Sequence, residues 1–155
     1  MRLEYFQLID RIADLDLEKR TIRCTAIVPT ESTIFEGHFP GYPLMPGVLL
    51  TESMAQTAGW LVIGLQRFGK MPFLAALKEV KFRTFVTPGQ ALDISAAIVH
   101  EGSGYAMADA EIRSGGERIC NANITFRIVD FPNAQFVSFM KEFARKIDFP
   151  AGAVS

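Results

Sequence analysis

The sequence predicts an α+β domain in which an antiparallel β-sheet of five or six strands wraps around one long central helix. Three observations lead to this fold class. Residues 46–67 are apolar on nearly every side, which is typical of a helix enclosed by the rest of its domain. Residues 73–128 alternate apolar and polar side chains between short glycine-containing turns. Residues 131–147 place large apolar side chains at helical spacing, which adds an amphipathic C-terminal helix.

The composition indicates a globular protein. The chain has 155 residues, of which 49% are hydrophobic and 21% charged, and its net charge of −1 provides no basic field for nucleic acid. Glu52 and its polar neighbours argue against a membrane span in the apolar run, and the N-terminus lacks the features of a signal peptide. We therefore expect a cytoplasmic protein with one main domain, residues 1–130, and a helical extension of that domain, residues 131–155.

The first half of the chain contains an ambiguous element, a strand and a loop. Apolar residues recur every three positions in residues 3–15, which favours a helix, whereas residues 20–28 alternate as a strand, and the connector between them is short enough for a hairpin. Prolines and glycines interrupt residues 29–46, which form a long loop of the kind that is usually functional. The central helix is expected to start near Pro46, continue to about Arg67 and end at Gly69.

The second half predicts four strands joined in order as an antiparallel meander. The first strand includes Val80 and Phe82 and extends to Val86, and turns follow at residues 87–90, 101–104 and 114–117. The C-terminal helix opens at Pro132 and stops before Pro150, and its apolar face carries Phe136, Phe139, Met140 and Phe143.

Two residues stand out chemically. Glu52 is the single carboxylate of the apolar helix, where an unpartnered charge is costly, and His38 lies in the loop that precedes this helix. Gln56 follows Glu52 by one helical turn and can hold it by a hydrogen bond. The helix start leaves the backbone N–H groups of Gly47 and Val48 free to stabilise an oxyanion. Together these groups suit removal of a proton next to a carbonyl while a departing hydroxyl is protonated.

The same stretch carries a motif, composed of Gly37-His38-Phe39-Pro40-Gly41, Pro43, Met45-Pro46-Gly47-Val48-Leu49, Glu52 and Met54-Ala55-Gln56. It closely resembles the (3R)-hydroxyacyl-[acyl-carrier-protein] dehydratases of the FabZ type. The resemblance covers roughly residues 6–129. It implies the hot-dog fold, with residues 6–15 as the first strand instead of a helix.

The resemblance also implies an activity and its residues. The expected reaction converts a 3-hydroxyacyl chain on acyl carrier protein to the trans-2-enoyl thioester and water, in fatty acid biosynthesis. His38 would remove the C2 proton, Glu52 would protonate the C3 hydroxyl, and the N–H groups of Gly47 and Val48 would polarise the thioester carbonyl. The supporting residues would be Gln56, Phe39 and Pro46.

Further expectations concern partners and cofactors. Acyl carrier protein is the implied partner, and the implied assembly is a homodimer or a hexamer (a trimer of dimers) in which His38 and Glu52 meet across the dimer interface. Neither a metal nor a redox cofactor is expected, because the elimination only moves protons. Cys24 and Cys120 are expected to be buried in strands, not to form a metal site.

The chain departs from the resembling family at both ends. It starts too late for the usual Pro-His-Arg-like segment and adds the C-terminal helix, which indicates a paralogue for a long-chain or lipid A-related substrate. The added helix either caps the acyl tunnel or the dimer surface, or simply packs on the domain. Two other functions stay open, namely a hot-dog thioesterase that uses an acid and an activated water, and a non-catalytic acyl-binding subunit.

Overall fold

The computed structural model describes residues 1–153, in which six strands form one antiparallel sheet around a long helix. The strands are β1 (Arg11–Asp16), β2 (Thr21–Ile27), β3 (Met71–Phe82), β4 (Ala91–Gly102), β5 (Tyr105–Ser114) and β6 (Glu117–Val129). The α-helices are α1 (Thr33–Gly37), α2 (Gly47–Leu65) and α3 (Ala134–Lys146), with 3₁₀ turns at Leu3–Tyr5 and Ala151–Ala153. This arrangement confirms the predicted fold class.

The sheet curves around α2 because their facing residues are apolar and, on β5, small. Ala106, Ala108 and Ala110 are buried on β5 and allow close approach of the helix, while Ile94 and Ile124 of the neighbouring strands are completely buried. Helix α2 is long and apolar enough to cross a membrane, but 78% of its most apolar stretch is buried inside the protein. It is therefore the core helix of the domain.

The strand order is β1-β2-β4-β5-β6-β3, which corrects one prediction. Strands β4, β5 and β6 form the expected meander, but β3 pairs with β6 instead of β4. The chain leaves the sheet after Phe82, and Val86 is buried beneath the long loop, where its carbonyl accepts a hydrogen bond from the Met45 N–H at 2.8 Å. Residues 83–90 are a crossover, and the prediction that this strand extends to Val86 was wrong. Alternation of side chains cannot reveal which strands are neighbours.

The first strand also begins later than the resemblance implied. Residues 3–5 form a 3₁₀ turn, and β1 starts only at Arg11. After β1, a short connection leads into the antiparallel β2, as predicted. The backbone of Phe6 and Leu8, between this turn and β1, is held by α2, because the Gln56 side chain binds the Phe6 carbonyl and the Leu8 N–H.

The helix ends differ slightly from the predicted ones. Pro46 is the residue immediately before α2. The helix ends at Leu65, and shortly after it Arg67 and Phe68 adopt left-handed backbone conformations. The Phe68 N–H closes the end by donating to the Ile63 carbonyl, so Gly69 is not the terminating residue. Helix α3 starts at Ala134 and is capped by the Asn133 side chain, not by Pro132.

Helix α3 packs against the C-terminal half of α2. The Trp60 ring stacks on Phe143 at 5.9 Å between centroids and contacts Phe149 at 6.0 Å. The Ile147 carbonyl accepts a hydrogen bond from the Ile12 N–H, which covers part of the β1 edge. These contacts support our proposal that residues 131–155 extend the main domain, of which residues 154 and 155 lie outside the described part of the chain.

Strand β3 is the free edge of the sheet and is unusually apolar for an exposed edge. Phe73, Leu77 and Phe82 expose 60%, 40% and 49% of their surface. An uncovered apolar edge is a surface suited to pairing with another chain.

Candidate active site

The loop before α2 holds His38 rigidly. Its backbone N–H donates to the Ile34 carbonyl at 2.9 Å, and its carbonyl accepts from the Leu44 N–H at 2.9 Å. Between these anchors, Phe39 and Tyr42 exchange two backbone hydrogen bonds, and Gly41 has the positive φ of 74° that this turn requires. The loop thus fixes the position of the histidine backbone.

One contact determines the tautomer of the His38 ring. Its Nδ1 lies 2.9 Å from the Leu44 carbonyl oxygen, which can only accept a hydrogen bond. Nδ1 therefore carries the proton, and in the neutral ring Nε2 holds the free lone pair. Within residues 1–153, Nε2 takes part in no hydrogen bond. The imidazole, which is half-buried and stacks on the exposed Phe39 ring at 4.2 Å, is ready to accept a proton at Nε2.

Glu52 is held on α2 as the sequence suggested. The Gln56 side-chain amide donates to a Glu52 carboxylate oxygen at 3.1 Å and to the Phe6 carbonyl at 2.7 Å. The Gln56 side-chain oxygen accepts from the Leu8 N–H at 3.1 Å. One amide thus fixes both the half-buried carboxylate and the N-terminal segment.

The start of α2 provides free donors. Leu49 and Leu50 donate their N–H groups to the Pro46 carbonyl, whereas the N–H groups of Gly47 and Val48 find no acceptor within the described residues. Unpaired N–H groups at a helix N-terminus attract partial negative charge. The Val48 side chain is 75% exposed, so this helix end is open to a ligand.

An apolar groove of about 410 Å³ begins at Glu52. Its floor is one face of α2, and its outer wall comes from the first residues of β3, the N-terminal segment and α3; the α3 residues are Phe136, Phe139, Met140 and Phe143. Among residues 1–153, Glu52 is the only charged residue that lines it. This volume falls in the range of small-molecule sites.

Within one chain, His38 and Glu52 have no hydrogen-bonding partner in common. Neither His38 nor the N-terminus of α2 lines the groove, and no hydrogen bond joins the two side chains in the part of the chain described. Each instead lies near exposed apolar residues, Phe39 and Tyr42 beside the histidine and Phe6 and Phe73 beside the groove.

Sequence patterns missed four residues that contribute to the site. The Leu44 carbonyl and the backbone of Phe6 and Leu8 act through main-chain atoms, which leave no side-chain signal. Trp60 could have been found, since it lies two turns beyond Glu52 on the same helical face. The cysteines are buried in β2 and β6 as predicted, and burial raises the pKa of Cys24 to about 12 and that of Cys120 to about 11, so neither is a ready nucleophile.

A sheet wrapped around a helix, with a histidine loop before that helix and one carboxylate within it, places the protein in the hot-dog class. Solved structures agree on this fold. A hypothetical thioesterase with coenzyme A from Streptococcus pneumoniae has a TM-score of 0.63 at 19% identity, with 79% of this chain and 88% of that chain covered. The dehydratase heterocomplex ApeI:P from Xenorhabdus doucetiae has a TM-score of 0.64 at 14% identity, with 87% and 90% covered.

Sequence comparisons define the family more narrowly. The model of the FabA-like domain matches residues 2–123. The 3-hydroxyacyl-[acyl-carrier-protein] dehydratase FabZ of Clostridium acetobutylicum is 37% identical, with 79% of this chain and 86% of that protein aligned. The FabZ of Rhizorhabdus wittichii is 38% identical, with 81% of each aligned. The chain belongs to the FabA-like family, among the dehydratases of the FabZ type.

Proposed function

We propose that this protein dehydrates 3-hydroxyacyl-[acyl-carrier-protein] to trans-2-enoyl-[acyl-carrier-protein] and water in fatty acid biosynthesis, in the cytoplasm. The observation that carries the proposal is the His38–Leu44 contact, because it holds a proton on Nδ1 and so places the lone pair of the neutral tautomer on Nε2. The FabZ relatives support the same reaction, because they are named as 3-hydroxyacyl-[acyl-carrier-protein] dehydratases. They do not favour a thioesterase or a non-catalytic acyl-binding subunit.

The proposed elimination moves two protons and breaks one C–O bond. His38 Nε2 takes the proton from C2 of the thioester, and the electrons of that C–H bond form the C2–C3 double bond. The hydroxyl leaves C3 and receives a proton from Glu52, which forms water. The free N–H groups of Gly47 and Val48 stabilise the negative charge on the thioester oxygen as the proton departs. No cofactor is needed, since no electron is transferred to or from the protein.

The supporting residues have definite tasks. Gln56 orients the Glu52 carboxylate, Phe39 stacks on the His38 ring, and Pro46 sets the entry of the chain into α2.

The proposed site lies between two subunits. His38 and Glu52 are separate within one chain, and the apolar edge of β3 supplies a surface for a homodimer in which each subunit completes the other's site. Assembly of three such dimers into a hexamer is a further proposal, which the mass of the purified protein in solution tests.

One assay tests the activity. A 3-hydroxyacyl thioester is supplied, and enoyl absorbance is followed together with free thiol. His38→Ala and Glu52→Gln should each lower the dehydration rate by about 10²- to 10⁴-fold, the usual contribution of a general acid or base. Thiol release without enoyl product would indicate a thioesterase instead. If the unmodified protein formed neither enoyl product nor free thiol, the result would indicate a binding subunit.

A further inference from the structure

The groove between α2 and α3 has the shape and lining of a channel for one alkyl chain. The α2 residues that face it are spaced by three and four positions and so form one continuous stripe along the helix: Glu52, Ala55, Gln56, Gly59, Trp60 and Ile63. The middle of this stripe is formed by the two smallest residues, Ala55 and Gly59. Polar groups are concentrated at the Glu52 end, and the other end is apolar and aromatic.

The order of groups along α2 matches the order of groups along the proposed substrate. The free N–H groups of Gly47 and Val48 lie at the helix start, where a thioester carbonyl would bind. Glu52 comes next, and helical side chains tilt toward the N-terminus, which brings its carboxylate back toward that end. The apolar stripe then continues away from the carbonyl position, in the direction that the acyl tail would take.

We propose that the aromatic side of α3, which forms the outer wall of the groove that holds the acyl tail, sets the chain length that the enzyme prefers; this inference rests on the proposed function. Glu52 and Ile63 are 11 positions apart, or about 16 Å along the helix at about 1.5 Å per residue. An extended alkyl chain advances about 1.25 Å per carbon, given C–C bonds of about 1.5 Å at near-tetrahedral angles. The groove therefore holds a tail of roughly a dozen carbons beyond the hydroxyl, so the preferred substrates are long-chain.

Helix α3 is suited to this role because one of its aromatic residues, Phe139, lies on the groove without packing into the core. Phe139 is 59% exposed, and its ring is tilted against Phe136 and stacked with Phe143, at 6.2 Å and 6.4 Å between centroids. The helix is anchored by Phe143, which stacks on Trp60, by the buried Ala144 and, just beyond its end, by the buried Ile147 and Phe149. Phe139 can therefore be changed without removing the contacts that hold α3 in place.

Two substitutions test the groove from opposite sides. Phe139→Ala removes part of its wall, and kcat/KM for a 3-hydroxypalmitoyl thioester should fall about tenfold, while that for a 3-hydroxybutyryl thioester stays within about twofold. Gly59→Ala narrows its floor, and its added Cβ meets only Pro72, at an ordinary 3.5 Å. It should reduce turnover of the long substrate and spare the short one. Val137→Ala, on α3 but outside the groove, is the matched control and should change neither.

Binding can be measured without turnover. Trp60 is the chain's single tryptophan and lines the groove, so its fluorescence reports on occupancy. Saturated butyryl, decanoyl and palmitoyl thioesters are titrated into the unmodified protein. The inference predicts that affinity and the fluorescence change both grow with chain length, and that Phe139→Ala weakens binding of the palmitoyl thioester.

These experiments distinguish failure of the groove proposal from failure of the dehydratase proposal. Length-dependent binding without enoyl formation would overturn the dehydratase proposal and leave the groove supported. Dehydration whose chain-length profile is the same in Phe139→Ala, Gly59→Ala and the unmodified protein would overturn the groove and leave the dehydratase standing.

Discussion

At the scale of single residues, a main-chain atom determines which chemistry His38 can perform. The Leu44 carbonyl fixes the proton on Nδ1 and leaves Nε2 as the base. The sequence could predict His38, Glu52 and Gln56 as a group, because their types and spacing suit acid–base chemistry. It could not predict the Leu44 contact or the capture of Phe6, since both depend on how the chain folds back on itself.

Gln56 offers a test at this scale. Gln56→Ala removes its hydrogen bonds to Glu52, Phe6 and Leu8. Leu8 is completely buried, so its N–H is left without a partner, and the free energy of unfolding should fall by about 1–3 kcal/mol. Urea denaturation measures this change, and kcat should fall as Glu52 loses its orientation. Gln135→Ala, at an exposed position of α3, serves as the control; equal stability of the two variants would contradict the role assigned to Gln56.

At the scale of elements, the sequence predicted α2, α3 and the hairpins well because their signals are local. Apolar periodicity and turn residues report on neighbours within a few positions. The pairing of β3 with β6 was missed, since it depends on a crossover that brings Val86 beneath the loop to meet Met45. The same crossover supports the loop that carries His38.

Two glycines of α2 test how closely this helix is enclosed. A Cβ at Gly64 would lie 3.1 Å from both Leu17 and Phe149, whereas one at Gly59 has ordinary clearance. Alanine favours a helix over glycine by about 1 kcal/mol at either position, so the local preference is the same in both variants. Overpacking at Gly64 should make Gly64→Ala less stable than Gly59→Ala by about 1–3 kcal/mol. Thermal and urea unfolding of both variants measure the difference, and equal stability would contradict the close packing at Gly64.

At the scale of the whole molecule, the free β3 edge and the separation of His38 from Glu52 point to the same assembly. Sequence patterns located each half of the site, but periodicity within one chain contains no information about a second chain. The resemblance to dehydratases supplied that expectation.

A charge on the β3 edge should therefore abolish both assembly and activity. Leu77→Lys places an ammonium group on the apolar edge and should give a folded monomer with little dehydratase activity. Val99→Lys, at an exposed position of β4, should remain a dimer of normal activity. Light scattering coupled to size-exclusion chromatography, with circular dichroism for folding, distinguishes the two. A fully active Leu77→Lys monomer would show that one chain contains the whole site.

The most direct measurement uses hybrid dimers of His38→Ala and Glu52→Gln. The two variants carry different affinity tags, are produced together, and the hybrid is purified through both tags. If each site takes His38 from one subunit and Glu52 from the other, the hybrid contains one intact site out of two and should regain about half of the unmodified activity, although both parent dimers are inactive. A hybrid as inactive as its parents would contradict a site shared between subunits.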